Sequence, residues 1–390
     1  MCMDSDHTRR AALKVLTAAG AALLATPVSR FAFGDAELDP RVAKIVADTI
    51  SADMHNHAAQ NFAKTPEDTR ADPEVDLPGK MKTAGLGAVC YTYAVDGYRS
   101  PQPGDWYRFH LQELAYIDRL LAKSGMRRAL AMADLNAAHS AKTPIIIQDC
   151  EGAQWIEGHI ERVEEAYKRG LRHLQLVHQM HDLVSPLAGV QQLIQPTGGG
   201  PNSESADVTG LTDFGAEVIR ECNRLGMVVD MAHGTEAAVV QATKVARQPF
   251  VVSHTALNTA VAREDKQYVG NPGLTARLVT PTYAKAVADA GGIVGIWHIF
   301  PTMKDFVTAI KQMVDVVGVD HTGIGTDTSM APPAGGRGGG TNKIWPDENA
   351  GFVYAVANEM LAQGFRPDEI SKIAGGNYCR VFDEVTKGHA

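Results

Sequence analysis

The histidines and carboxylates of this chain recur where short apolar runs end. The run at 49–55 leads into Asp53-Met54-His55-Asn56-His57, which places two histidines two residues apart. Since residues i and i+2 of a strand project from one face, both imidazoles point to the same side. The same residue types end six later runs, at Glu151, His178, His233, His254, His298 and Asp327. Imidazole with carboxylate suits Zn²⁺, Mn²⁺, Fe²⁺ or Co²⁺ rather than an all-oxygen Ca²⁺ or Mg²⁺ cage, so we predict a zinc-type metal site.

Metal-assisted hydrolysis is the chemistry that these residue types favour. Glu151 stands between two pairs of histidines in the chain and can bridge two metal ions. Two ions about 3.5–4 Å apart can share a water molecule, lower its pKa toward about 7 and direct it at a carbonyl. At the last strand, Asp327 is placed to take the proton of that water and pass it to a leaving nitrogen. His178 would then polarise the carbonyl or stabilise the oxyanion. These roles predict a hydrolase without defining its substrate.

Eight strand-and-helix units are predicted to position these residues. Short apolar runs predict strands near 49–55, 86–93, 145–151, 172–177, 227–232, 249–254, 291–297 and 322–327. Helical stretches between them are clearest at 107–124, 157–169, 212–225, 235–245, 282–290 and 303–317. The alternation indicates parallel pairing, and eight units in one chain predict a single (β/α)8 TIM barrel. Each strand-end residue alone is better explained as a polar group satisfied in the core. Catalytic groups of such barrels, however, lie where the strands end, and seven such strand ends favour a site.

The composition is that of a folded globular protein. Of 390 residues, 45% are apolar and 21% charged, and 37 Lys+Arg against 45 Asp+Glu give a formal net charge of −8. This acidic balance argues against a nucleic-acid-binding protein, which normally carries a basic face. Five scattered cysteines are too few for a disulfide scaffold. We expect Cys90, Cys150, Cys222 and Cys379 to be buried free thiols.

The first 34 residues resemble a twin-arginine export signal. Arg9 and Arg10 precede an apolar run at 11–25 that is too short to span a bilayer of about 30 Å. Cleavage after Gly34 is expected to leave one domain of residues 35–390, exported to the periplasm without a stable membrane anchor. An amphipathic N-terminal helix is the alternative interpretation.

Several long motifs follow one another in order over most of residues 48–385. The strongest are GLTDFGAEVIRECNRLGMVVDMAH at 210–233 and PFVVSH at 249–254. They are supported by DLPGKMKTAGLGAV at 76–89, EEAYKRGLRHLQLVH at 164–178, VDHTGIGTD at 319–327 and GGNYCRVFDEV at 375–385. Together they resemble the membrane dipeptidase (renal dipeptidase) family of the amidohydrolase superfamily. The resemblance implies a metallo-dependent (β/α)8 hydrolase with two zinc ions that cleaves dipeptides, and it makes a homodimer a fair expectation.

The resemblance assigns roles to the same strand-end residues. By position it implies metal ligands at His55, Glu151, His233 and His254, with Glu151 as the bridge. It further implies that His178 contacts the scissile carbonyl of the substrate. Asp327 matches the aspartate that lies near the substrate amino group and is proposed to move the proton.

Two positions depart from the family pattern. Where the family has His-x-Asp on its first strand, this chain has His55-Asn56-His57, and we hypothesise that His57 is still a metal ligand, with one site weaker. The family also places an arginine after His254 that grips the substrate carboxylate through a bidentate pair. The segment that follows aligns poorly here, so that Arg263 is the nearest candidate and Lys266 the next, unless both are solvated loop charges.

Two other functions stay open at this point. The His-x-His pattern and the uncertain arginine are compatible with a deacylase or lactonase that acts on another small molecule. A non-catalytic maturation protein with a relict metal site is the third reading.

Overall fold

The computed structural model describes residues 38–57, 75–95, 102–178, 210–259, 277–330, 341 and 351–389. The strands are β1 Ala52–His57, β2 Ala88–Ala94, β3 Ile145–Glu151, β4 Leu171–Gln175, β5 Val228–Asp230, β6 Val251–Thr255, β7 Ile293–Ile296, β8 Thr322–Ile324 and β9 Thr328–Ser329. The helices are α1 Arg41–Asp48, α2 Leu77–Ala84, α3 Asp105–Ser124, α4 Met132–Ser140, α5 Glu161–Lys168, α6 Asp213–Leu225, α7 Glu236–Val245, α8 Pro281–Asp289, α9 Met303–Val317, α10 Phe352–Ala362, α11 Pro367–Ser371 and α12 Asn377–Thr386. The predicted export signal at 1–34, Arg263 and Lys266 lie outside the described residues.

The strands form one parallel sheet that closes on itself. Their order is β8-β7-β6-β5-β4-β3-β2-β1-β9, and only residues 325–327 separate β8 from β9. β8 pairs with β7, whereas β9 pairs with β1 through Asn56–Thr328 and His57–Ser329. One broken eighth strand therefore joins both edges of the sheet. This confirms the predicted (β/α)8 barrel, but the unbroken strand expected at 322–327 is wrong, because Asp327 has a φ of 55° that extended backbone does not allow.

Buried polar groups hold the seam between β1 and the broken strand. The carboxylate of Asp53 accepts hydrogen bonds from Thr326 N at 2.8 Å, from Thr326 Oγ1 at 2.6 Å and from Asn56 Nδ2 at 3.0 Å. Asn56 Nδ2 also donates to Thr341 Oγ1 at 2.8 Å. Buried polar groups are stable only when they are hydrogen-bonded, so this network fixes the point at which the barrel closes.

The helices begin where their sequences supply caps. Thr212 Oγ1 accepts a hydrogen bond from Gly215 N at 3.0 Å and starts α6, and Thr280 and Thr302 start α8 and α9 in the same way. Gly226, with a φ of 77°, ends α6 in a left-handed cap. In a βα unit the helix begins at the rim where the strand ends. The caps therefore fix the ends of the loops that surround the barrel mouth.

The last helix closes the end of the barrel opposite the mouth. Tyr378 and Phe382 of α12 belong to a buried cluster with the residues that open most of the strands, among them Ala52, Ala88, Ile145, Val228, Val251 and Ile293. Burial of a side chain such as Phe382 contributes about 1.5–3 kcal/mol. A second, larger cluster packs the outer faces of the strands against the surrounding helices. The barrel interior is thus apolar at the bottom, which leaves the mouth for polar groups.

Two further expectations can be compared with the described residues. The cysteines at 90, 150, 222 and 379 are buried and free, as predicted. Within the described ranges, no helix combines the length and the apolar character needed to cross a bilayer.

Candidate metal centre

Two β-bulges deliver histidines into the barrel mouth. Along β1 the register advances three residues, from Asp53 to Asn56, while β2 advances two. β6 shows the same extra residue against β7 between Val252 and Thr255. A bulge redirects the side chains that follow it, and bulges are frequent beside active sites. Here they bring His55 and His254 together, with ring centroids 4.0 Å apart.

Two other site residues occupy the left-handed backbone region. His233 has a φ of 66° and Asp327 a φ of 55°, in a conformation that normally favours glycine. Non-glycine residues in this region cost on the order of 1–3 kcal/mol, and such residues cluster at functional sites. The two strained residues follow the ends of β5 and β8. Their backbone conformation directs both side chains into the barrel mouth.

Glu151, at the end of β3, lies at the centre of a ring of imidazoles. Its carboxylate is buried and is 1% exposed. The Nε2 atoms around its Oε1 are those of His178 and His233 at 3.4 Å, His55 at 3.6 Å and His254 at 3.7 Å. His57 Nε2 lies 3.7 Å from the other oxygen. The structure therefore brings together all five histidines that the sequence analysis named as ligands or carbonyl contacts.

Asp327 contacts two histidines of the same cluster. Its Oδ1 lies 2.8 Å from His57 Nε2 and 3.9 Å from His55 Nε2. His298, which follows β7, donates its backbone N–H to Thr326 O at 3.3 Å. Among the described residues it belongs to none of the three groups of convergent donor atoms, which are His55–His57–Glu151, His55–His254–Asp327 and Glu151–His178–His233.

The electrostatics of the cluster suit a cation. Burial lowers the pKa of His233 to about 4, and burial followed by the neighbouring His55 lowers the pKa of His254 well below its usual value. Burial would raise the pKa of Glu151, but His178 and His55 outweigh it and hold the pKa well below the ordinary range. Burial is the largest effect on His55 and opposes its charge. The neighbouring carboxylates, Glu151 above all, outweigh burial and raise the pKa of His55 to about 9. Neutral His233 and His254 beside an ionised Glu151 are in the protonation states that bind metal, whereas His55 must release a proton to do so.

The donor atoms fit a zinc-type ion in number and kind. His55 Nε2 and Glu151 Oε2 are buried and have no hydrogen-bond partner, which costs free energy unless something else satisfies them. Both residues belong to the group formed by His55, His57 and Glu151, whose donor atoms lie within 4.8 Å of one another. Nitrogen and carboxylate donors at such a spacing are those of catalytic zinc sites.

Arg277 is a residue of this site that the sequence analysis missed. Its Nη1 lies 3.8 Å from Asp327 Oδ2, and its guanidinium carbon lies 3.9 Å from the centre of the Trp297 ring. The segment runs beside the end of β6, where Thr255 Oγ1 donates to Arg277 O at 2.7 Å. The helix predicted at 282–290 could have indicated this residue. In a βα unit the residues just before the helix lie at the rim of the barrel, and Arg277 is one of them. Arg263, the predicted candidate, lies outside the described residues.

Comparison with known proteins gives one consistent result. The sequence profile described as "Membrane dipeptidase (Peptidase family M19)" matches residues 40–390. Dipeptidase aclJ of Aspergillus oryzae is 24% identical over 328 residues, which cover 80% of this chain and 70% of that protein. Two solved structures share the fold. The probable dipeptidase PvdM of Pseudomonas aeruginosa has a TM-score of 0.68 at 17% identity, covering 89% of this chain and 98% of that chain. A metallopeptidase of Rhodobacter sphaeroides, liganded with a phosphinate mimic of the dipeptide L-Ala-D-Ala, has a TM-score of 0.61 at 18% identity, covering 87% and 100%.

Proposed function

The chain belongs to the membrane dipeptidase family, a family of metallopeptidases, and from this premise we propose that it hydrolyses the peptide bond of dipeptides or closely similar small amides. One observation carries the proposal. Four imidazole Nε2 atoms lie within 3.7 Å of a single carboxylate oxygen of Glu151 at the mouth of the barrel. Apart from a metal-ion site, few structural roles require so many donors around one buried carboxylate.

We propose that the centre holds two zinc ions. His55 and His57 would ligate from β1, His233 and His254 from the ends of β5 and β6, and Glu151 from between them. A metal ion bound in such a centre polarises a carbonyl oxygen and acidifies water. His57 offers a neutral imidazole where the family has a carboxylate, so the site that contains it is expected to bind its ion more weakly.

The remaining site residues act on the substrate. His178, whose Nε2 lies 3.4 Å from Glu151, stands on the rim to donate a hydrogen bond to the scissile carbonyl oxygen. Asp327 is ionised at neutral pH, because His254 and His57 outweigh burial and hold its pKa far below the usual value. It can therefore accept a proton and return it to the leaving nitrogen. Arg277 is the candidate for gripping the carboxylate at the C-terminal end of the substrate.

Removal and return of metal tests this function directly. Purified protein is assayed against a broad dipeptide panel as isolated, after dialysis against a chelator, and after addition of Zn²⁺. We expect hydrolysis to vanish on chelation and to return with zinc. N-acyl amino acids and lactones in the same panel test the deacylase and lactonase alternatives. Metal-replete protein that cleaves these compounds but no dipeptide would contradict the proposed function.

We also propose that residues 1–34 direct export of the folded enzyme to the periplasm. Replacement of Arg9 and Arg10 by lysine keeps the charge but removes the guanidinium pair. Fractionation of cells that produce both forms should find the native chain in the periplasm and the lysine variant in the cytoplasm. Equal distribution of the two forms would contradict this proposal. Light scattering of the exported protein would separately test the homodimer suggested by the resemblance.

A further inference from the structure

A second layer of buried polar residues lies directly below the metal ligands. Asp149 and His173 point into the barrel from β3 and β4, and Asp230 points inward from β5. All three side chains are completely buried. Asp149 precedes Glu151 by two residues on the same strand, so that both carboxylates share the inward face. Two residues earlier on β3 and β5, the inward-facing Ile147 and Val228 belong to the apolar cluster at the bottom of the barrel.

The layer is joined to the last helix through a tyrosine. Tyr378 of α12 places its hydroxyl 2.9 Å from His173 Nδ1 and accepts a hydrogen bond from Cys90 Sγ at 3.0 Å. On the other side of the ring, His173 Nε2 lies 3.3 Å from Asp230 Oδ2. Asp230 is held in turn by Ala232 N at 2.9 Å and Ser253 N at 3.0 Å.

Asp149 connects this layer to the metal centre. Its Oδ2 lies 3.7 Å from Nδ1 of His55, and Thr92 Oγ1 donates a hydrogen bond to the same oxygen. On the other side of the ring, His55 Nε2 lies 3.6 Å from Glu151 Oε1. A histidine that ligates through Nε2 must carry its proton on Nδ1, and the Asp149 carboxyl group favours that tautomer electrostatically although 3.7 Å is longer than a hydrogen bond.

Stability alone does not explain this arrangement. Burying ionisable groups costs several kcal/mol each, and apolar residues of similar volume often serve a core as well or better. Here Asp149, the member of this layer that contacts His55, lies 3.7 Å from its Nδ1. We propose that Asp149, His173 and Tyr378 are positioning residues, which hold His55 in its ligating orientation and link the metal centre to the C-terminal helix.

The inference uses the metal centre of the proposed function, but its test needs no substrate. Zinc affinity is measured on the whole protein by competition with a chromophoric chelator, and the visible spectrum of the Co²⁺-substituted protein reports ligand geometry. Loss of such an outer partner typically weakens metal affinity 10- to 100-fold. We expect Asp149→Asn, which keeps the shape of the side chain, to fall in this range and to change the Co²⁺ spectrum. Tyr378→Phe should shift both readouts in the same direction by a smaller factor.

Tyr93→Phe supplies a matched control. Tyr93 is buried on the outer side of the barrel wall, and its hydroxyl lies 2.9 Å from Nδ1 of the buried His110. Both tyrosine variants therefore lose one buried bond between a phenol and an imidazole, but only Tyr378 lies in the layer below His55. We expect Tyr93→Phe to lower the thermal midpoint without altering zinc affinity or the Co²⁺ spectrum.

The outcomes separate the two claims. Zinc affinity and a Co²⁺ spectrum that stay unchanged in Asp149→Asn would overturn the positioning role, as would equal losses of affinity in the two tyrosine variants. If Asp149→Asn does not fold, the comparison of Tyr378→Phe with Tyr93→Phe decides alone. A protein that binds zinc and responds as described, yet cleaves no dipeptide, would overturn the proposed function and leave this inference standing.

Discussion

The Nε2 atom of His57 lies 2.8 Å from Oδ1 of Asp327. The residue that departs from the family pattern is thus in direct contact with the proposed proton carrier. His57 Nε2 also lies 3.7 Å from Glu151 Oε2, within the group of donors that contains His55. Its imidazole can therefore serve either as a metal ligand or as the partner that holds Asp327, and metal content distinguishes the two.

His57→Ala is expected to bind one metal ion fewer than the native protein, because the variant removes one of three convergent donors. His57→Asp restores the carboxylate of the family pattern and should bind both ions, the weaker one more tightly than in the native chain. Metal analysis after exhaustive dialysis gives the stoichiometry. His298→Ala is the control, since it removes a partly buried histidine of the same rim that lies outside the donor groups. Full occupancy in His57→Ala would exclude His57 as a ligand.

Arg277→Lys is expected to raise KM for dipeptides about 10- to 100-fold, because lysine keeps the charge but cannot make the bidentate contact. Dipeptide amides, which lack the terminal carboxylate, should be affected far less. Steady-state kinetics on matched acid and amide substrates provide the measurement. Arg263→Lys serves as the comparison, and a larger effect there than at Arg277 would return the role to the residue that the sequence analysis chose.

Asp327→Asn should reduce kcat about 10²- to 10⁴-fold, since the amide cannot accept the proton. Asparagine tolerates the left-handed conformation that Asp327 adopts, so the backbone is expected to stay in place. Asp327→Gly is the second variant, because glycine fits the same φ and removes the side chain entirely. Equal thermal midpoints with a large loss of kcat in both variants support the role. Near-native turnover in either would contradict it.

A pH effect on stability follows from His110 of α3, whose buried ring stacks on Trp155. Burial is the main reason that the pKa of His110 lies well below 6.5. The unfolded chain takes up a proton below about pH 6.5 while the folded His110 stays neutral, so stability falls as the pH falls. Between pH 7.5 and 5.5 this residue costs about 1.4 kcal/mol.

Two variants isolate that contribution. Tyr93→Phe keeps His110, whereas the double variant with His110→Phe retains a ring stacked on Trp155, where the native centroids lie 3.8 Å apart. Denaturant unfolding at the two pH values should show a larger loss for Tyr93→Phe than for the double variant. Equal losses would mean that His110 is protonated in the folded protein.

Much of the site could be predicted because barrel topology turns strand ends into neighbours. His55, Glu151, His233 and His254 are far apart in sequence, yet each ends a strand, and the common rim made their convergence a consequence of the fold. The bulges in β1 and β6 could not be foreseen, since an extra residue leaves no mark in an apolar run. Arg277 was not identified because poorly aligned residues separate it from His254. The number of residues after His254 therefore did not show which basic residue lies near the site.

The layer below His55 was missed for a different reason. Asp149 and His173 lie inside predicted strands. A strand is predicted from its apolar residues, and a single polar residue within it does not indicate a site. Only the structure shows that Asp149 and His173 are paired in register on neighbouring strands and that His173 Nε2 reaches Asp230 Oδ2 at 3.3 Å. Tyr378 could not be linked to them either, because nothing local indicates that the last helix packs into the barrel.

The seam between β1 and β9 has a consequence for biosynthesis. Among the described strands β1 is synthesised first, but its outer edge pairs with Thr328 and Ser329, and residues of the helix at 377–386 pack against the bottom of the barrel. Until these residues have been synthesised, a partial chain leaves that strand edge unpaired, a state prone to aggregation. Closure of the barrel, and with it assembly of the reaction centre, therefore follows synthesis of residues 377–386.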